Sequence, residues 1–226
     1  MMTIRCGWRA VAAIGALLAA PAVARAQAWE YPEFQPPEVA VREFQGAIAG
    51  ASDYGTSFFG QWREGIGSKT HLQFEFGLST PSNADTRVNF GATINQSVLR
   101  SSQSTPIDIL LTGGAFASLA GDFSILRIPL GAVVGHRFPM SNGMAITPYI
   151  HPRLSIDFCL SSCSPPELDD RVNIDFDLGG SLDLSKTMSI RAALMIGQVN
   201  RLSTKVAFGA GVAFRPGGNH PAAEPR

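Results

Sequence analysis

Between Val41 and Phe214 apolar and polar residues exchange places at nearly every step, and a helical period is hard to find anywhere. The clearest run is 172–184. Val172, Ile174, Phe176, Leu178, Gly180, Leu182 and Leu184 occupy the even positions, against Asn173, Asp175, Asp177, Gly179, Ser181 and Asp183 on the odd ones. A strand turns successive side chains to opposite faces, so this run has one apolar face and one polar face. The same grammar recurs at Leu72–Leu78, at Val88–Ile94 and at Ile146–Phe158, punctuated by turn residues. Laid along the chain, it predicts strands at 42–51, 55–64, 70–79, 86–97, 105–118, 123–138, 144–158, 171–184, 188–199 and 204–215.

Most of these runs are longer than the five or six residues usual in globular sheets, and they suit the roughly 9–11 residues a tilted strand needs to cross a bilayer. The expected fold class is therefore all-β: a closed antiparallel up-and-down transmembrane β-barrel of about ten strands. Eight and twelve stay open, because Val41–Glu64 is glycine-rich and weakly patterned. A soluble barrel alternates too, with its apolar face inward. A secreted or periplasmic soluble barrel binding a small apolar ligand is thus the competing reading.

Composition then narrows the field. Met1–Ala28 carries Arg5 and Arg9 ahead of an apolar run at Val11–Val23, and it closes on small residues. This reads as a secretory signal peptide over 1–26, with cleavage at 28 as the variant, too short in its apolar part to span a membrane. Cutting after Ala26 changes 18 basic against 18 acidic residues into 15 against 18, a formal net of −3. With Lys69, Lys186 and Lys205 as its only lysines, the product has no electrostatic footprint for nucleic acid. Charged residues form 16% of the chain, below the usual quarter of a soluble domain. Residues 27–40, rich in proline and acid, read as a periplasmic linker without regular structure, 41–215 as the barrel, and 216–226 as a disordered tail. Cys159 and Cys163 flank a loop of an exported chain and read first as a disulfide; a metal site would want more ligands, and no histidine lies near.

The last strand, KVAFGAGVAF, sets Val206, Phe208, Ala210, Val212 and Phe214 on one face. Gly209, Val212 and Phe214 resemble the terminal assembly signal of outer-membrane barrels: glycine, a hydrophobic residue, an aromatic. Ala207 stands where a polar residue is usual, and twelve residues follow Phe214. With the signal peptide and the ten runs, the chain resembles small bacterial outer-membrane β-barrel proteins of porin-like, Gram-negative type. The resemblance implies outer-membrane lipid and the barrel assembly machinery as partners and a location in the outer membrane; the oligomeric state stays open, with a monomer favoured. Counted from a periplasmic start, the longest outward connection is 159–170.

The polar faces then supply the candidate chemistry. Glu75, Arg87, Asp108, Arg127, His151, Arg153, Asp157, Asp175, Asp177 and Arg191 should form a polar network inside the lumen, with Asp183 beside them. Buried charges must be paired or hydrated, and a barrel this narrow is largely filled by side chains. The network therefore reads first as a core of ion pairs, and second as the lining of a narrow path for small solutes. Arg127, Arg153 and Arg191 should pair with Asp108, Asp175 and Asp177. A barrel hydrolase or acyltransferase needs a base near a nucleophile, for which His151 is the one plausible histidine. No catalytic residue, metal or cofactor is expected. In TPYIHPRL, Pro148 and Pro152 share parity and should produce a bulge or weakened seam.

Overall fold

The period-two pattern becomes strand geometry almost run for run in the computed structural model, which describes residues 31–51, 55–81, 85–140, 143–161, 171–199 and 203–218. Among the described residues the long strands are β1 (Arg42–Ala51), β2 (Gly55–Gly65), β3 (Thr70–Thr80), β4 (Arg87–Leu99), β5 (Asp108–Ala120), β6 (Phe123–Gly135), β8 (Ala145–Ser161), β9 (Arg171–Asp183), β10 (Met188–Val199) and β11 (Ser203–Phe214); β7 is the two-residue Phe138–Pro139. Each long strand pairs antiparallel with its neighbours in chain order, β1 pairs with β11, and β6 pairs with β8 past the short β7. These ten strands close the sheet on itself, which satisfies every edge. The expected all-β up-and-down barrel of ten strands is what the chain forms.

Register preserves the two faces around the ring. Phe44 faces Trp62, Trp62 faces Phe74 and Phe74 faces Ala92, all on the outside. Their inward neighbours Glu43, Arg63, Gln73 and Glu75 are buried. The contrast is sharp within one strand: Phe76 is 59% exposed and the adjacent Glu75 only 4%. Tight connections hold the register, as at Gly121–Asp122, where a two-residue hairpin loop needs positive φ and Gly121 takes +52°.

One expectation fails and another is met in only one of its two forms, a weakened seam and not a bulge. The proline-rich stretch expected as a periplasmic linker is, over Tyr31–Ala40, folded into the barrel, with Tyr31, Phe34 and Gln35 almost fully buried. It has neither helix nor strand, yet Pro32, Pro36 and Pro37 bring no N–H that would need a ladder partner. The proline run of β8 makes no bulge: β8 pairs with β9 without a break from Ala145 to Asp157. Toward β6 the ladder is interrupted between Gly131–Arg153 and Val134–Ile150, where Pro152 lacks its donor, but the register carries across. The register shift lies farther on, where Ser124 faces Ser161 and Ile125 faces Cys159.

Residues 216–218 of the expected tail form one 3-10 turn. The signal peptide, residues 27–30 of the linker, Cys163 and residues 219–226 lie outside the described residues.

Candidate functional site

The inward face of the wall and the inserted segment together make up the interior. Along the barrel axis it falls into three layers, counted from the proximal rim, where β1 begins.

The proximal layer centres on Glu43 of β1. Its carboxylate accepts hydrogen bonds from Arg63 of β2, from both terminal nitrogens of Arg191 on β10 (2.8 and 2.6 Å), and from Nε of Arg215 (2.9 Å). Arg215 reaches on to Asp183 (3.1 Å), which also meets Arg137 at 3.1 Å. Arg137 lies 3.5 Å from Glu38 on the inserted segment. Burial pushes the Glu38 carboxyl up to about 7, with Arg137 pulling the other way. Three guanidinium groups share one carboxylate, and Asp183 supplies a second negative charge to Arg215, so each buried cation has an opposite charge within reach, as desolvation requires.

The middle layer is where the segment meets the wall. Tyr31 donates to Glu75 (2.6 Å) and stacks on Phe59 with centroids 4.1 Å apart. The Phe34 carbonyl accepts from Arg63 (2.7 Å) and, at 3.4 Å, from Arg191. Glu33 lies 3.6 Å from His151 and 3.9 Å from Arg153, its backbone N–H donates to Asp177 (3.4 Å), and its carbonyl accepts from Tyr149 (3.4 Å). Arg153 pairs with Asp177 at 3.0 Å. Ten residues of chain thus touch β2, β3, β8 and β10 at once, which only the middle of the lumen permits.

In the distal layer Arg127 grips Asp157 through two hydrogen bonds (2.6 and 2.7 Å), Asn173 donates to the same carboxylate (2.8 Å), and Asp175 lies 3.8 Å from Arg127. Arg87 is buried on β4, on the inner face opposite Ser79. Asp108 sits at the proximal rim instead, 3.6 Å from His136. Of the expected partnerships, Arg127 meets Asp175 and Arg153 meets Asp177, while Arg191 finds Glu43.

Glu43, Arg63 and Arg215 are members of the interior network that sequence reasoning passed over. Parity could have found the first two, since Glu43 and Arg63 alternate with Phe44 and Trp62. Glu33 and Tyr31 gave no periodic signal. Tyr149 turns inward and is 2% exposed. Trp62 does face out, between Phe44 and Phe74 with centroids 6.4 and 5.4 Å away.

His151 shows what this interior does with a potential base. Its Nε2 lies 3.0 Å from the Thr112 hydroxyl and its Nδ1 3.4 Å from Asp177. Connectivity of this kind can relay a proton. Yet the ring is completely buried, and Gly131 lies so close that a Cβ there would meet Nε2 at 2.6 Å. The arrangement leaves no room for a substrate at the hydroxyl.

On the terminal strand Val212 and Phe214 face outward, 50% and 52% exposed, whereas Gly209 faces inward beneath the Phe34 ring. Cys159 lies near the end of β8.

A soluble barrel would turn these two faces round. Here charge fills the inside, and Phe58, Phe76, Leu130, Ile174 and Phe208, each more than half exposed, stand among the large apolar side chains of the outside. Only a hydrocarbon solvent suits such a surface on a closed barrel. The fold is that of an outer-membrane β-barrel. The barrel accordingly resides in the cell outer membrane, and the soluble apolar-ligand binder weighed from sequence is set aside.

Solved structures agree with this barrel at the level of fold. The β domain of the Bordetella autotransporter BrkA superposes with a TM-score of 0.56 at 8% identity, over 78% of this chain and 99% of that one. LpxR from Salmonella typhimurium (0.48; 7% identity; 76% of this chain and 99% of that one) and the KdgM porin (0.38; 9%; 76% and 98%) are more distant. No protein-family model matches the chain, and no curated protein matches it in sequence.

Proposed function

We propose that this barrel is a closed, non-catalytic integral protein of the outer membrane, with a structural role and a lumen sealed to solutes at rest. The observation that carries this reading is the interior itself. Arginines from β2, β6 and β8 end on carboxylates of neighbouring strands, the β10 arginine reaches past β11 to Glu43, and the space between is occupied by Tyr31–Ala40. His151 and the lumen carboxylates then hold the fold together rather than a substrate.

Liposome swelling with solutes of graded size tests the seal. Vesicles carrying the full chain should swell no faster than empty ones in small sugars. Steady swelling by the unaltered protein would overturn the closed reading.

The same proposal includes export and assembly. The leader is removed after Ala26, so intact-mass measurement of the membrane-purified protein should give a chain starting at Gln27. The chain enters from the periplasm, which makes the proximal rim the periplasmic one. Gly209, Val212 and Phe214 engage the barrel assembly machinery, the protein is a monomer, and Cys159 and Cys163 are bridged. Non-reducing peptide mapping should recover residues 159 and 163 in one linked fragment.

A further inference from the structure

Tyr31–Ala40 differs from the rest of the interior in how it is held. The wall is tied by ladders between long strands, and its charges close among themselves: Arg63 and Arg191 on Glu43, Arg153 on Asp177, Arg127 on Asp157. The segment adds no strand to that sheet. Its anchors are two aromatic rings, the carboxylates of Glu33 and Glu38, two backbone N–H groups and a few carbonyls. Tyr31 stacks on Phe59, and the Phe34 ring covers Gly209, where a Cβ would approach it to 2.7 Å. Gln35, fully buried, has a side-chain oxygen without a hydrogen-bond partner.

Removing the segment would therefore strand no wall charge among these pairs. Arg153 keeps Asp177, Arg63 and Arg191 keep Glu43, and Glu75 keeps its bond from Gln61. The chain joins the sheet at Val41, whose carbonyl accepts from Gly65 N–H at 2.7 Å, and the Ala40 N–H donates to His71 at 3.4 Å, so the pivot falls at Ala40, at the proximal rim. The vacated space would be lined by arginines and carboxylates of both signs and would fill with water.

We propose that Tyr31–Ala40 is a withdrawable plug. Its movement toward the proximal rim opens a path for small hydrophilic solutes and ions through a barrel otherwise closed. This rests on the closed reading above and deepens it by naming what closes the lumen and how it opens.

Single-channel recording in planar bilayers tests the proposal on the full chain, on the double variant Tyr31→Ala/Phe34→Ala, and on a chain lacking residues 31–40. Heat-dependent gel mobility reports folding for each. The unaltered barrel should be closed with rare brief openings. The double variant should be open at least about tenfold more of the time, in line with losing buried aromatic contacts. The deletion should be open throughout. A folded deletion variant that stays closed overturns the plug while leaving the closed reading intact. Steady conductance by the unaltered protein overturns both.

Should the variants fail to fold, Gln35→Cys in a Cys159→Ser/Cys163→Ser chain supplies the second measurement. A membrane-impermeant thiol reagent should label it faster than the barrel unfolds. Labelling only in step with unfolding overturns the proposal.

Discussion

Glu43 holds three arginines, and its replacement by alanine would leave their buried charge uncompensated. Breaking a buried pair from one side costs about 3–5 kcal/mol. Glu43→Ala should lower the urea midpoint of the detergent-folded barrel strongly, and Glu43→Gln less, because the amide oxygen still accepts. Equal midpoints for alanine and wild type would refute this role. Glu38 acts in the opposite sense. Its carboxyl is raised from 4.5 to about 7, so the folded state binds that proton more tightly than the unfolded one. Its contribution is fully present below about pH 4.5 and is lost as the pH rises through about 7. Unfolding measured between pH 5 and 8 should show wild type losing on the order of 1–3 kcal/mol relative to Glu38→Gln. Parallel curves for the two proteins would remove Glu38 from the account. The arginines on Glu43 were legible only as parity, and Glu38 was not legible at all, because nothing local marks a coil residue that tertiary packing buries.

β6 and β8 show how single residues are absorbed by an element. Pro152 and Pro129 each remove a donor, and the ladders skip near them, toward β6 and toward β5 respectively. The register survives because the other neighbour of each strand is unbroken there. Of the two outcomes expected there, a bulge or a weakened seam, the seam forms, since a missing hydrogen bond does not by itself add a residue to one side. At Gly131 the constraint is steric: a side chain would run into His151, Thr112 and Arg153 of the interior. Gly131→Val should cost about 1–3 kcal/mol in unfolding measurements, the usual toll of overpacking. A neutral outcome would mean that His151 has room to move, which would reopen the catalytic reading of that ring.

At the scale of the whole molecule, the barrel puts charge inside and hydrocarbon-compatible surface outside. Cell fractionation should recover the protein only with detergent, as a band whose gel mobility changes on heating. Recovery in the soluble periplasm would contradict the fold's polarity. Strand positions and the two faces followed from the sequence alone, because period-two alternation is a local property that each strand carries in itself; closure settled on ten strands where eight and twelve had stayed open. Alternation could not say which face points inward, since the pattern is identical either way; closure decided that, by surrounding Glu75, Arg127, Arg153 and Asp177 while leaving Phe74 and Phe76 outside. Nor could it place Tyr31–Ala40. A proline-rich stretch without period looks the same whether it trails in water or fills a lumen, and only the space enclosed by ten strands, with Phe59 and Gly209 there to receive two rings, brought it inside.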